Sequence, residues 1–272
     1  MIPSSHFHLL HQSTLQVTKE GDLVIYQPSV EKEPVRLGVL VPSVNTVVEP
    51  DMYRMAPTGI TIHFSRLPVP SDETTVENLV RLEDHLEESL QSLAQANISA
   101  VSFACTSGSF IKGRSWDRQL IERMEKIFSP ATTTSESILS ALMSLNLTTL
   151  SLVTPYPDSI NELMKAYLMS QGHPVVNLMS LRLSRSQEIR KVPPETIYEL
   201  GKSANTGRAE GLLISCTDFQ ALPIIEALEE EIKKPVISSN QATLWKLMIL
   251  SGVRHPIKGY GHLLRTFESP GE

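Results

Sequence analysis

From Val35 onward the chain alternates short apolar, β-branched runs with stretches of helical periodicity. βαβ units around a mostly parallel sheet give this pattern, because strands covered on both faces read as continuous apolar runs. The runs RLGVLVP, ITIHFSRL, ISAVSFACT, TTLSLVTP, VVNLMSLRL, EGLLISCT and KPVISS are therefore expected to be strands. The clearest helix spans Thr75 to Ala96, where Val76, Leu79, Val80, Leu86, Leu90, Leu93 and Ala94 fall on one stripe. Its Glu77, Glu83, Asp84, Glu87 and Glu88 then read as a solvated face without chemistry. Residues 1–34 lack the alternation and read as an appended arm carrying His6, His8, His11 and the apolar patch Leu23–Tyr26. Those histidines are a weak metal signal, since no other clustered ligand accompanies them.

The pattern also repeats. RLGVLVPSVNT is answered about 110 residues later by TLSLVTPYPDS, AVSFACTSGS by GLLISCTDFQ, and PATTTSESILSAL by KPVISSNQATLWKL. Each pair places the same kind of element at the same point: a strand with a proline and polar loop, a strand ending in Cys-Thr, and a strand feeding a Ser/Thr/Asn-rich helix start. A duplicated α/β frame is the expectation. It divides the chain into a first lobe at 35–145, joined by C-terminal residues 252–272, and a second lobe at 146–251.

Composition narrows the partners. A chain of 272 residues with 41% hydrophobic content can bury two moderate cores. The net charge of −6, with the charges interspersed, leaves no electrostatic footprint for nucleic acid or an anionic membrane, and a small-molecule partner is expected instead. No apolar stretch approaches the roughly 20 residues of a membrane span, and no basic-then-apolar leader opens the chain. The expected location is the cytoplasm, where the two cysteines would be thiols.

In open α/β sheets ligands bind beyond the carboxyl ends of the strands. Cys105 and Cys216 both fall there, at matching points of the duplication, and two facing halves would place one thiol on each side of a small substrate. Residues suited to a helix start follow each cysteine, so backbone N–H groups would favour a thiolate or bind a carboxylate. Asp218 would oppose that at the second site, which makes Cys105 the better nucleophile and Cys216 the proton donor. A lone cysteine at a strand end is ordinarily a small core residue; it is the equivalent placement of both that points to chemistry. Asn45 and Tyr156 occupy matching loops where an amide and a phenol can grip carboxylate oxygens, although Asn45 reads equally well as a turn or cap residue. No P-loop, GxGxxG, CxxC or HExxH is present, so neither a nucleotide cofactor nor a catalytic metal is supported. His63, His85, His173, His255 and His262 have no spacing partner and read as structural.

GVLVPSVNTVVEPDM, ACTSGSF, TPYPDS, SCTDF and PVISSNQATLWKLM resemble maleate cis-trans isomerases, which belong with arylmalonate decarboxylases to the aspartate/glutamate racemase superfamily. The similarity runs from about residue 36 to 262. It implies two Rossmann-like parallel-sheet lobes related by a pseudo-twofold duplication, with a cofactor-free active site in the interlobe cleft and a homo-oligomeric assembly. It further implies that Cys105 adds to an alkene carbon while Cys216 protonates its neighbour, and that Asn45, Thr106, Ser107, Tyr156, Cys216 and Thr217 hold two carboxylates. The chain departs from the isomerases at RSQEIRK, where Ser186 stands in place of an expected asparagine, so the grip on one side of the substrate is altered. A two-thiol amino-acid or hydantoin racemase is the next reading. An arylmalonate-type decarboxylase follows, since those relatives keep only the second cysteine, and then a non-catalytic small-acid binding protein.

Overall fold

The computed structural model describes residues 14–17, 23–26 and 33–267. The chain separates at Pro34. In the first unit, strands β1 (Thr14–Val17) and β2 (Leu23–Tyr26) pair antiparallel, so the apolar patch of the arm is a strand. His6, His8 and His11 lie outside the described residues.

In the second unit, Val35–Pro42 forms β3, with Leu37, Val39, Leu40 and Val41 fully buried, as a strand covered on both faces requires. Helix α1 (Val48–Met55) leads to β4 (Ile60–Leu67). The helix expected over Thr75–Ala96 is interrupted: α2 (Val76–Val80) and α3 (Leu86–Ala94) flank a 3₁₀ turn at Arg81–His85. Leu79 from α2 and Leu82 from the turn both line the cavity described below. Leu79, Leu82, Leu86, Leu90 and Leu93 still bury one stripe, while Val76 is left exposed. The acidic face is not purely solvated either, because Glu83 and Glu87 both ion-pair with Arg123. Strand β5 (Ala100–Phe103), α4 (Thr106–Phe110), α5 (Arg114–Glu125), β6 (Ala131–Thr133) and α6 (Thr134–Ser144) complete the first half.

The second half retraces the first. Strand β7 (Leu150–Thr154), α7 (Asp158–Ser170) and β8 (Val175–Ser180) precede α8 (Ser186–Ile189) and α9 (Pro194–Ala204). Strand β9 (Gly211–Ile214), α10 (Ile225–Ile232), β10 (Val236–Ser238), α11 (Ser239–Leu250) and α12 (His262–Arg265) follow. The two four-stranded sheets are all-parallel and share one order, β4-β3-β5-β6 and β8-β7-β9-β10, with each repeat partner at the same position. The expected α/β fold with two Rossmann-like parallel sheets is the observed one. The Ser/Thr-rich helix starts are caps: Thr133 accepts from the Glu136 N–H at the head of α6, and Ser238 forms a full capping box with Gln241 on α11.

Those two helices join the halves. Thr134 Oγ1 lies 3.1 Å from Thr243 Oγ1, and Lys246 donates to Ser140 Oγ at 2.9 Å. Small hydroxyl side chains let the helices approach closely while satisfying one another, which sets the carboxyl ends of the two sheets around one cavity. The C-terminal segment touches both halves. His262 N–H donates to Glu229 Oε2 at 2.7 Å, and Tyr260 OH donates to the Arg54 carbonyl at 2.9 Å. The His262 side chain is exposed and does not line the cavity.

Candidate active site

The cavity beyond the strand ends has a volume of about 50 Å³, the room of a few water molecules, so it suits a small ligand. All seven residues singled out from the sequence line it: Asn45, Cys105, Thr106, Ser107, Tyr156, Cys216 and Thr217. Each arrives from a strand end, where the backbone leaves the sheet and polar side chains converge.

Cys105 leaves β5 in an extended conformation and caps α4, its Sγ accepting the Gly108 N–H at 3.4 Å with Ser107 Oγ at 3.9 Å. Cys216 leaves β9 at φ +133°, a region L-residues rarely occupy. Its own N–H donates to Ser239 Oγ at 3.0 Å, and its Sγ accepts the Asp218 N–H at 3.4 Å. Both thiols therefore receive a backbone donor, but burial outweighs it. Desolvation pushes Cys105 up to about 11, against the pull of Gly108 and Ser107 and with Asp218 adding to the rise. Cys216 is pushed higher still, by enclosure and by the nearer Asp218. Enclosure therefore works against a thiolate at both positions, more strongly at Cys216, and the five-residue α4 sets the Gly108 N–H and the Ser107 hydroxyl against that enclosure at Cys105.

The two threonines that follow the cysteines are held in matching ways. Thr106 Oγ1 donates to Ser239 Oγ at 2.9 Å, and Thr217 Oγ1 to the Ala104 carbonyl at 3.4 Å. The carbonyl of each is gripped by the repeat-related residue of the next helix: Ser135 Oγ donates to Thr106 O at 3.4 Å, and Asn240 Nδ2 to Thr217 O at 3.1 Å. Asn240 also donates to Asp51 Oδ2 at 2.8 Å, where burial lifts the carboxyl to about 6. With their hydroxyls committed, Thr106 and Thr217 have their backbone N–H groups left to offer a ligand.

Asn45 takes the turn-residue role, and its amide N–H is engaged within the protein. Its Oδ1 accepts the N–H groups of Val47 and Val48 at the start of α1, while its Nδ2 donates to Thr217 Oγ1 at 3.1 Å and ties the two halves together. Tyr156 is 1% exposed, and its hydroxyl makes no hydrogen bond of good geometry among the described residues, with Ser215 and the Cys216 thiol as its polar neighbours. Burial, then the proximity of Cys216, holds that phenol well above its usual pKa, so it stays a neutral O–H close to both sulfurs. Asn161 Nδ2 and Ser180 Oγ both donate to the Tyr156 carbonyl and fix its backbone.

One wall of the cavity was not anticipated. Ser71, Asp72, Glu73, Thr74 and Asn78 line it, in the loop beyond the carboxyl end of β4 and in α2. The loop is latched to the segment before α8: Thr74 N–H donates to Ser184 O at 2.6 Å, Ser186 N–H to Asp72 O at 2.9 Å, and Arg185 ion-pairs with Asp72 at 3.2 Å. The run PVPSDET directly after a predicted strand was the available signal. Asp218, foreseen only as a neighbour of Cys216, also lines the cavity. Among the described residues no cluster of three or more His, Cys, Asp or Glu side chains could hold a metal ion.

The model of the arylmalonate decarboxylase family matches residues 37–264. The chain belongs to that family. Its curated relatives include maleate isomerases and a decarboxylase. It is 20% identical over 244 residues to the maleate isomerase of Geobacillus stearothermophilus, covering 84% of this chain and 96% of that protein. It is 26% identical over 231 residues to the arylmalonate decarboxylase of Bordetella bronchiseptica, covering 84% and 95%. Among solved structures, the maleate isomerase Iso of Pseudomonas putida superposes with a TM-score of 0.81 at 24% identity, covering 86% of this chain and 99% of that one. A cysteine-to-serine variant of Nocardia farcinica maleate cis-trans isomerase, holding a covalently bound succinylcysteine intermediate, superposes at 0.80 with 21% identity over 85% and 98%. This member of the family therefore shares its fold with isomerases and resembles the decarboxylase about as closely in sequence.

Proposed function

We propose that the chain catalyses a cofactor-independent cis-trans isomerisation of a small unsaturated dicarboxylate of the maleate type, with Cys105 as nucleophile and Cys216 as proton carrier. The observation that carries this reading is the meeting of two repeat-related thiols and one buried phenol in a single small cavity. A decarboxylase needs one proton donor, whereas a covalent route needs a nucleophile and a donor. The succinylcysteine held by the Nocardia relative is the kind of intermediate that such a pair forms.

The Cys105 thiol first loses its proton to solvent, and its thiolate Sγ forms a bond to one alkene carbon. The π pair moves to the neighbouring carbon, where the adjacent carboxylate delocalises it, and that carbon takes the Sγ–H proton of Cys216. The resulting single bond rotates. Cys216 thiolate then removes the proton, the alkene reforms as the trans isomer, and the Cys105 thiolate departs. Cys216, with the higher pKa, keeps its proton at a pH where Cys105 has begun to lose its own, which is the ordering that the scheme requires. Tyr156 O–H, Ser107 Oγ and the N–H groups of Thr106 and Thr217 supply neutral donors to the carboxylates, and Asn45 positions Thr217.

Proton NMR of the protein with maleate in D₂O tests the proposal, run beside Cys105→Ala and Cys216→Ala with intact-protein mass spectrometry. Fumarate formed by the parent protein and by neither variant, with an adduct on Cys105, is the expected result; no conversion of maleate refutes it. The same pair of thiols also fits removal and return of an α-proton, and Asp218 in the cavity favours keeping that as the second reading.

A further inference from the structure

The cavity is lined by three acidic residues, Asp72, Glu73 and Asp218, and among the described residues no lysine, arginine or histidine lines it. Asp72 is answered by Arg185, and Glu73 lies exposed in the latch. Asp218 differs from both. It is 4% exposed, Oδ1 accepts the Thr46 N–H at 3.2 Å, the Val47 N–H and the Ser186 hydroxyl stand close enough to favour its charged form, and Oδ2 makes no hydrogen bond of good geometry among the described residues. Arg190 is near enough to temper its charge, yet donates from Nη1 to the Val44 carbonyl at 2.7 Å. Beside Asp218 stands Ser186, half-buried, also lining the cavity, and occupying the place where the isomerase pattern led us to expect an asparagine.

A plain dicarboxylate carries no donor to offer a buried carboxyl oxygen and leaves it unsatisfied. That oxygen is a good neighbour for an O–H or N–H⁺ group, which would satisfy it. We propose that Asp218 and Ser186 form a specificity subsite for a hydrogen-bond-donating substituent, an ammonium or a hydroxyl, carried beside one carboxylate of the substrate. The substrate class becomes amino- or hydroxy-substituted small diacids, acted on by whichever of the two thiol reactions applies. This rests on the reading of the cavity as a small-diacid site.

Three saturated ligands that differ in one group separate the possibilities: succinate, malate and aspartate, the last two as both enantiomers. Their binding is read by titration calorimetry in the Cys105→Ala background, where no turnover intrudes. A malate or aspartate enantiomer should bind at least roughly tenfold tighter than succinate, the worth of one charge-assisted hydrogen bond. Which of the two binds tighter tells hydroxyl from ammonium. Adding Asp218→Asn, which retains an acceptor for the Thr46 N–H, should erase most of that preference, and Ser186→Ala should reduce it. Succinate binding as tightly as the substituted ligands, or a preference untouched by Asp218→Asn, overturns the subsite. Failure of all three diacids to bind instead overturns the small-diacid reading beneath it. Neither result depends on maleate being converted, so the two proposals fail separately.

Discussion

Replacing Cys216 by glycine and, separately, by alanine measures how much strain the fold stores at this thiol. At φ +133° an L-residue is held in a sparsely populated region, at a cost of about 1–3 kcal/mol, and glycine occupies that region without penalty. Glycine also destabilises by about 0.4–1 kcal/mol through the greater freedom of the unfolded chain, so the raw comparison mixes two effects of opposite sign. Cys105 supplies the control, since its φ of −142° is ordinary extended backbone. There glycine should be less stable than alanine by the entropic amount plus whatever packing its buried Cβ contributes. At Cys216 the sign should reverse or vanish. Subtracting the glycine–alanine difference at Cys105 from that at Cys216 leaves the strain, about 1–3 kcal/mol. A domain this size shifts its Tm by about 2–4 °C per kcal/mol, so thermal melts of the four variants resolve the difference and urea unfolding confirms it. If glycine is less stable than alanine by the same margin at both positions, the backbone at Cys216 stores no strain and the reasoning fails.

Alkylation of Cys105 by iodoacetamide should be slow at neutral pH and should rise about tenfold per unit towards pH 11, because the thiolate reacts and burial lifts the thiol to about 11; a plateau near pH 8.5 would contradict the burial argument. Asp218 is lifted from 3.8 to about 7, chiefly by desolvation, so the folded state holds its proton more tightly than the unfolded chain does and loses stability as pH rises from about 4 to 7. Asp218→Asn should accordingly raise the Tm at pH 8, by the equivalent of about 1–4 kcal/mol, and change it little at pH 4; equal shifts at both pH values would refute this. A methyl at Gly108 would sit 3.1 Å from Cys105 Sγ and from Leu82 Cδ1. Gly108→Ala should therefore displace the thiol and lower turnover at least tenfold while costing about 1–2 kcal/mol of stability, and undiminished turnover would show that the sulfur has slack. Arg185→Ala opens an exposed ion pair and should cost under about 1 kcal/mol, yet raise KM by loosening the latch over the cavity; an unchanged KM would show that the latch does not shape the site.

The frame was legible because it depends on patterns that a sequence displays directly. β4 coincides with the run predicted from its apolar content, and the Cys-Thr pairs marked the strand ends that meet at the cavity. The caps at Thr133 and Ser238 were visible as Ser/Thr-rich starts. What escaped depends on contacts between segments distant in the chain. The helix at 75–96 carries no proline or glycine to announce its 3₁₀ turn. Arg123 claims Glu83 and Glu87 from another helix, and the latch joins residues 72–74 to residues 184–186 across more than a hundred positions. A thiol pKa is likewise a property of enclosure: the Gly108 N–H was foreseeable from the sequence, and the desolvation that overrides it was not.

The duplication also explains why the two thiols can take different parts. Repeat-related residues build a common support, Ser135 and Asn240 holding the carbonyls of Thr106 and Thr217, and Ser239 bridging to Thr106 Oγ1 and the Cys216 N–H. On that support the surroundings diverge. Cys105 sits in relaxed backbone beside a hydroxyl, whereas Cys216 sits in rare backbone beside a carboxyl. Both differences act in one direction. A nearby carboxyl raises the proton affinity of Cys216 above that of its counterpart, and a donor hydroxyl with a backbone N–H eases formation of the Cys105 thiolate. Had the halves stayed identical, two equal thiols would have shared one titration, and neither would be singled out to attack while the other holds a proton. The asymmetry is concentrated in Ser107 and Asp218, each two positions beyond its cysteine, so exchanging those side chains, Ser107→Asp with Asp218→Ser, should bring the alkylation rates of the two cysteines together or invert them.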